Sequence, residues 1–403
     1  MFPSRLVSVL GKGALENNYS LDLDGSNDYV DTGNTFSDVI TESHTISAWI
    51  KPDDGQPAAA SAFLGTVDKW TGYMFFRVQV NGKLLYLIGT PTGEEFDAES
   101  TNAVFDNGAT NWTHVVATFN KSSNTTGTIT LYANGVSVGS SSSPDGSWNT
   151  DNYVNVYNLW IGARNEEDAY AQGYAGLIDE VAIYNKALSA GDISALYQAR
   201  GTANLNDDGN SANLQGWWRM GDGVLDVKTK FGLVADQVNP TLGADIAVNG
   251  DLSSNPFAHA TDYSGGWSDT SIGSSEATWS SGNQTISCVG DDSGSNRGNA
   301  TARVTAVSGQ VYKVTFTNST TPVNAALRVS NVNAWSSGDY LNVSPTSFQE
   351  FHFTSGVSGY VYITFSVYDA NTWTFGNLKV VPVNGNAGKL ISFDGSDFKT
   401  DTP

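Results

Sequence analysis

From Tyr19 onward apolar and polar residues alternate with a period of two, and Gly, Asn and Asp break the alternation every few residues. A strand sends successive side chains to opposite faces, so this pattern describes half-buried strands rather than helices, whose period is 3.6. Tyr19-Ser-Leu-Asp-Leu-Asp-Gly, His44-Thr-Ile-Ser-Ala-Trp-Ile and Tyr73-Met-Phe-Phe-Arg-Val-Gln-Val open the series. Trp112-Thr-His-Val-Val-Ala-Thr-Phe, Thr128-Ile-Thr-Leu-Tyr-Ala, Leu159-Trp-Ile-Gly and Ala175-Gly-Leu-Ile-Asp-Glu-Val-Ala-Ile-Tyr continue it. Asn81-Gly82 and Asn134-Gly135 separate strand runs and suit primed hairpin turns, which need positive φ. One segment departs from the pattern: Ser189, with Asp192 three residues on, is an N-cap arrangement that starts a helix over Ala190–Ala199, ended by Gly201.

A chain of 403 residues exceeds what one core serves, which points to two domains. The first series spans 15–202 behind an N-terminal arm, 1–14. The polar, turn-rich run from Asn204 opens a linker over 203–244. A second alternating series over 245–383 includes Val311-Tyr-Lys-Val-Thr-Phe-Thr and Tyr360-Val-Tyr-Ile-Thr-Phe-Ser-Val, and 384–403 reads as a polar C-terminal tail. With 42 glycines and only 15% charged residues, the fold class expected is all-β: two antiparallel β-sandwich (jelly-roll) domains with one short helix.

Forty-one acidic against 20 basic residues give a net charge of -21, which repels phosphate backbones and excludes nucleic acid as a partner. No segment approaches the roughly 20 apolar residues of a membrane span, so membrane insertion is not expected. The apolar run in Met1-Phe-Pro-Ser-Arg-Leu-Val-Ser-Val-Leu-Gly is too short for a secretion signal, and a surface protein without one points to release by lysis. The single cysteine, Cys288, rules out an internal disulfide and lies in a strand-like run as a small buried hydrophobe.

Four blocks in order, Leu21-Asp-Leu-Asp-Gly-Ser-Asn-Asp-Tyr-Val, His44-Thr-Ile-Ser-Ala-Trp-Ile-Lys-Pro, Trp112-Thr-His-Val-Val-Ala-Thr-Phe and Gly176-Leu-Ile-Asp-Glu-Val-Ala-Ile-Tyr, resemble the laminin G-like, concanavalin A-like lectin jelly roll over about residues 15–202. The resemblance implies two packed antiparallel sheets, with ligands bound by edge loops or the concave face. Val248-Asn-Gly-Asp-Leu-Ser, Gly266-Trp267, Gly309-Gln-Val-Tyr-Lys-Val-Thr-Phe and Trp373-Thr-Phe-Gly-Asn-Leu-Lys-Val resemble the galactose-binding-like carbohydrate-binding modules. The whole layout is similar to tailed-phage fibre or decoration proteins, an analogy of layout alone.

Candidate sites follow from chemistry. Pyranose rings stack on exposed aromatic faces, which nominates Trp70, Tyr73 and Trp148 in the first domain and Trp267, Trp279, Trp335 and Trp373 in the second. Trp49, Trp112 and Trp160 fall in strand blocks and read as core. A loop tryptophan also packs under its own loop. Asp24, Asp28 and Asp179 are candidate ligands of a structural calcium ion, since the first and last strands of such a jelly roll lie close together. Alternatively Asp24 and Asp28 stabilise their turn. Glu95-Phe-Asp-Ala-Glu99 carries alternating carboxylates, as glucanases sharing the concanavalin sandwich do, but it lies among turn residues and reads as an exposed loop. His44, His114, His259 and His352 are isolated, and nucleophile-elbow, zinc-protease and phosphate-loop motifs are absent.

The expectation is a non-catalytic virion or surface structural protein of phage fibre or decoration type, on a virion or extracellular surface. It would act as a homo-oligomer with other virion or surface proteins and cell-surface glycans as partners. The alternatives are a secreted lectin or binding component of a polysaccharide-degrading system, and a glycosidase using Glu95 and Glu99.

Overall fold

The computed structural model describes residues 15–403 apart from 69–71, 92, 224–225, 227, 229–231, 239–240, 258–262, 264–265, 292–295, 321–322, 333–338, 344–348, 385–386 and 394–395. The chain divides into two units, Met1–Pro240 with Gly385–Pro403, and Thr241–Asn384. In chain order the first unit contains β1 (Ser20–Asp24), β2 (Tyr29–Asp31), α1 (Ser37–Ile40), β3 (His44–Pro52), β4 (Ser61–Asp68), β5 (Gly72–Val78), β6 (Leu84–Gly89), β7 (Glu95–Glu99) and β8 (Thr113–Ser123). It continues with β9 (Thr126–Ala133), β10 (Val136–Ser141), β11 (Trp160–Ile161), β12 (Arg164–Glu166), β13 (Ala169–Ala171), β14 (Ala175–Tyr184), α2 (Ala190–Ala199), β15 (Leu214–Trp218) and β16 (Leu233–Ala235). The second unit holds β17 (Thr241–Leu242), β18 (Trp267–Asp269), β19 (Glu276–Ser280), β20 (Thr285–Val289), β21 (Arg297–Ala306), β22 (Val311–Asn318), β23 (Ala325–Ser330), β24 (Asp339–Val343), β25 (Glu350–Thr354), β26 (Gly359–Tyr368) and β27 (Thr372–Asn384). The chain then returns to the first unit as β28 (Ala387–Ile391) and β29 (Phe398–Lys399).

Two sheets form the first unit, one ordered β10-β9-β8-β3-β14-β1-β29, the other β16-β28-β2-β11-β4-β5-β6-β7. Alternation decides what lies between them. In β5, Met74, Phe76 and Val78 point inward and join Phe63, Tyr86, Phe96, Phe119 and Trp148 in one core, while Tyr73, Phe75 and Arg77 take the outer face. His44 belongs to this core. Its Nε2 lies 2.6 Å from the Tyr86 hydroxyl and its Nδ1 2.7 Å from the Glu42 carbonyl oxygen, and burial pulls its pKa down to about 4, so the ring is neutral. His114 is also buried, with Nε2 2.8 Å from Ser47 Oγ. In the second unit, sheets β19-β20-β27-β22-β25 and β18-β21-β26-β23-β24 enclose Trp267, Phe316, Phe365, Trp373 and Phe375. Cys288 lies buried there, its thiol near the Phe365 carbonyl.

Local signals read well at some points and less well at others. The helix α2 starts at Ser189 with both halves of the capping box formed by Ser189 and Asp192. Asn134 and Gly135 both have positive φ, 50° and 79°, as a two-residue primed turn requires. Asn81-Gly82 differs from the expected primed turn. Gln79 N donates to Lys83 O at 2.8 Å across a three-residue loop in which only Gly82 is left-handed, with φ 74°. Trp112 differs too: it stands just before β8, partly exposed, and its Nε1 donates to Asp401 at 2.9 Å.

The largest corrections concern the expected linker and tail. Residues 203–244 are not a plain linker, because β15 pairs with β14 and buries Trp217 and Trp218, and β16 joins the other sheet. The adjacent tryptophans break the period of two, which hid the strand. Asp226 organises the loop between β15 and β16, its carboxylate accepting from the backbone N–H of Gly221, Gly223 and Ala235. Residues 384–403 are not a free tail either. β28 lies between β16 and β2, β29 pairs with β1, and Lys51 holds Asp401 at 2.5 Å. Such short strands, whose partners lie hundreds of residues away, leave no local periodicity to read.

Leu390 of β28 is 4% exposed. Leu390→Ala is expected to lower the unfolding free energy of the first unit by about 2–5 kcal/mol in urea titrations. A residue on an undocked tail would change it by under about 0.5 kcal/mol.

Candidate functional site

The second sheet of the first unit carries a cavity of about 550 Å³ on its outer face. Strand register sets out its side chains in rows. Glu166, Val67, Tyr73, Gly89 and Glu95 lie side by side across β12, β4, β5, β6 and β7. Arg164, Gly65, Phe75, Leu87 and Asp97 form the next row, and Arg77, Leu85 and Glu99 a third. The floor is apolar: Val67, Phe75, Leu85 and Leu87 cluster together, with Tyr73 packed on them and partly exposed.

Two glycines shape this surface. A Cβ at Gly89 would lie 2.1 Å from Tyr73 Cζ, so the phenol ring lies across bare backbone, and its hydroxyl donates to Glu95 Oε1 at 2.9 Å. At Gly65 a Cβ would come within 3.0 Å of Phe75 Cβ and 3.4 Å of Arg164 Cγ, so its absence lets Arg164 approach Phe75. Arg77 and Arg164 both lie over the Phe75 ring, their Cζ atoms 4.7 and 5.9 Å from its centroid. Arg164 also pairs with Glu166.

Burial dominates the electrostatics. It pushes the Tyr73 phenol upward, helped by the hydrogen bond to Glu95. It raises Asp97, with Asp145 and Glu99 adding repulsion, and it lowers Arg77, with Arg164 adding like-charge repulsion.

The structure redistributes the residues nominated from sequence. Tyr73 lies on the cavity. Glu95, Asp97 and Glu99 do not sit on an exposed loop: they form edge strand β7 with their side chains on the outer face, because Phe96 and Ala98 supply the inward alternation. Glu99 lies 3.5 Å from Lys83 Nζ. Trp148 is core, not platform, packed edge-on to Phe96 and Phe119 with Nε1 donating to the Ile88 carbonyl at 3.1 Å. Trp267 and Trp373 are buried inside the second unit and present no ring to a ligand. Trp279 is partly buried and donates to the Leu252 carbonyl at 3.3 Å. Trp70 and Trp335 lie outside the described residues.

Sequence reasoning missed Phe75, Arg77, Leu87 and Arg164. The signal was present in β5 and β6, whose near-continuous apolar runs mark strands covered on both faces, so the outer face had to be apolar as well.

Of the calcium candidates, Asp24 and Asp28 lie together in one turn while Asp179 stands apart. β1 pairs with β14 so that Leu21 faces Ile178 and Asp24 faces Ala175, which leaves Asp179 four residues from Asp24 along the ladder, about 13 Å by strand rise. Asp24 Oδ1 accepts from the N–H of Ser26 and Asn27, and Asp28 Oδ2 accepts from Asp24 N–H, so both stabilise their own turn. Among the described residues no group of three or more His, Cys, Asp or Glu is placed to hold a metal.

Asp179 instead belongs to a buried network. Asn17 Nδ2 donates to it at 3.0 Å, and its neighbour Glu180 accepts from Trp217 Nε1 at 2.6 Å and Arg219 Nε at 2.8 Å. Burial raises the Asp179 pKa well above the carboxylate range, and Glu180 adds repulsion.

Residues 24–194 match the laminin G-type model of the concanavalin A-like lectin/glucanases superfamily. Over these residues the resemblance to that jelly roll holds, and the two mainly antiparallel sheets of the first unit agree with it. No curated protein matches the chain. Among solved structures, the chain is similar to the CBM40 module of the Ruminococcus gnavus IT-sialidase, with 14% identity, 46% of this chain and 100% of that chain covered, and a TM-score of 0.37. It is also similar to a putative carbohydrate binding protein from Bacteroides ovatus (17%, 55% and 56%, TM-score 0.37) and a SAP-like pentraxin from Limulus polyphemus (12%, 45% and 82%, TM-score 0.32).

An acid whose folded pKa is raised contributes stability that is present below its unfolded pKa and is lost as pH rises through the folded value. Asp179→Asn, isosteric with the neutral acid, is therefore expected to be stabilised relative to the native chain at pH 8 and to lose that advantage near pH 4. Paired urea titrations at the two pH values measure the difference.

Proposed function

We propose that the chain is a non-catalytic glycan-binding protein that engages saccharides on the outer face of β4, β5, β6, β7 and β12. The observation that carries this reading is the juxtaposition of a partly exposed tyrosine with an apolar floor and a charged rim in one cavity. The apolar face of a pyranose stacks on such a ring, and its hydroxyls take hydrogen bonds from the surrounding polar groups. The lectin-like sandwich of residues 24–194 supports it.

A second reading is favoured by one observation: Glu95, Asp97 and Glu99 share the outer face of β7, as a glycosidase working through a carboxylate pair would need. Against it, Glu95 already accepts the Tyr73 hydroxyl and Glu99 lies beside Lys83.

The setting proposed is attachment, as a homo-oligomer on a virion or other extracellular surface. The net charge of -21 suits a protein that meets glycans rather than phosphate backbones. No described helix is long and apolar enough to cross a membrane.

Binding to a glycan array is expected for the native chain, and Tyr73→Ala should weaken it at least about tenfold while leaving the melting transition in place. Absence of any glycan ligand refutes the reading. Release of reducing sugar from β-glucans that disappears in Glu95→Gln would replace it with the hydrolase. Electron microscopy of the native source tests the setting, since a protein found only free and monomeric would contradict surface assembly.

A further inference from the structure

We infer that the cavity on the second sheet selects saccharides bearing a carboxylate, which the guanidinium groups of Arg77 and Arg164 receive together beside Phe75. The inference rests on the glycan-binding reading and deepens it to a ligand class.

The geometry is unusual for two like charges. Arg77 follows Phe75 by two residues on β5, and Arg164 reaches the same ring across Gly65, so both guanidiniums lie over one aromatic ring. A cation–π contact holds the plane of a guanidinium and leaves its N–H edge free to donate. Those donors are underused. Arg77 makes a long contact of 3.4 Å to Gln172 Oε1, and the Nε atoms of both arginines are buried without a hydrogen-bond partner. Buried donors left unmatched cost stability, and both belong to arginines that line one cavity.

Glu95, Asp97 and Glu166 share the lining with the two arginines, so selection would rest on guanidinium geometry and not on net charge. Glu95 is engaged by Tyr73, and Asp97 lies across Leu87 from Phe75, on the far side of the apolar floor from Arg164. Glu166 pairs with one edge of Arg164. A planar carboxylate is the acceptor whose two oxygens match a guanidinium fork, and pairs of this kind are the strong, charge-assisted ones. The sugar ring that carries it would extend over the apolar floor toward Tyr73. The overall charge of -21 opposes an anionic ligand at long range, but at physiological salt that field is screened within about 8 Å, which leaves short-range donation by the two arginines to hold the carboxylate.

Isothermal titration of the intact chain against matched pairs tests this. One pair is sialyllactose and lactose, the other trigalacturonate and its carboxyl-reduced counterpart. The acidic member of at least one pair is expected to bind at least about tenfold more tightly, and the pair showing the preference distinguishes a sialic acid from a uronic acid. Arg77→Met, which keeps the stem over Phe75, is expected to abolish the preference, so that the acidic and neutral members bind within about twofold of each other. Arg77→Lys retains charge and packing without the fork and should lose part of the preference, which keeps the test valid if the methionine variant misfolds. Equal binding of acidic and neutral members, or tighter binding of a sulfated galactoside than of either carboxylated probe, overturns the carboxylate assignment and leaves glycan binding intact. Failure of all four probes together with an empty glycan array overturns both.

Discussion

The pairing of β5 with β4 and β6 determines which side chains of Gly72–Val78 enter the core and which form the outer surface. With Phe75 opposite Gly65 on one side and Leu87 on the other, Met74 and Phe76 face the opposing sheet while Tyr73, Phe75 and Arg77 line the cavity. A slip of one residue would place an arginine in the core and phenylalanine in solvent, so burial of one face enforces the geometry of the other. The core and the cavity are thus two faces of one ladder.

The same economy appears where the ends of the first unit meet. β28 fills the gap between β16 and β2, and β29 lies against β1, so the sheets are completed by residues that follow the whole second unit in sequence. Nearby, Asp179 and Glu180 lie buried with Arg219, Trp217 and Asn17. Removing one member of such a network strands the others in a low dielectric, which is why these acids read as structural rather than as ligands of an ion.

The outer face of the second sheet combines features that are costly for folding alone. Two arginines share one ring, a phenol ring lies across a glycine, and three carboxylates stand along an edge strand. Edge strands are commonly guarded by charge, which accounts for part of β7. It does not account for the paired guanidiniums that β5 and β12 bring over Phe75.

Much of this was legible in the residues themselves. Alternation set the strands, the Ser189–Asp192 capping box set α2, Asn134-Gly135 set its turn, and four ordered blocks pointed to the lectin-like sandwich. These are local properties, dictated by backbone sterics and by the period of a strand. Tertiary structure decided the rest. Whether Trp148 or Tyr73 faces outward depends on what packs above each, and in a loop or strand the chemistry of an aromatic ring is the same in either case. Asp24 and Asp179 look like partners until the register of β1 on β14 separates them. Arg164 meets Phe75 only because β12 runs parallel to β4 across Gly65, a contact between residues far apart in the chain that no local pattern encodes.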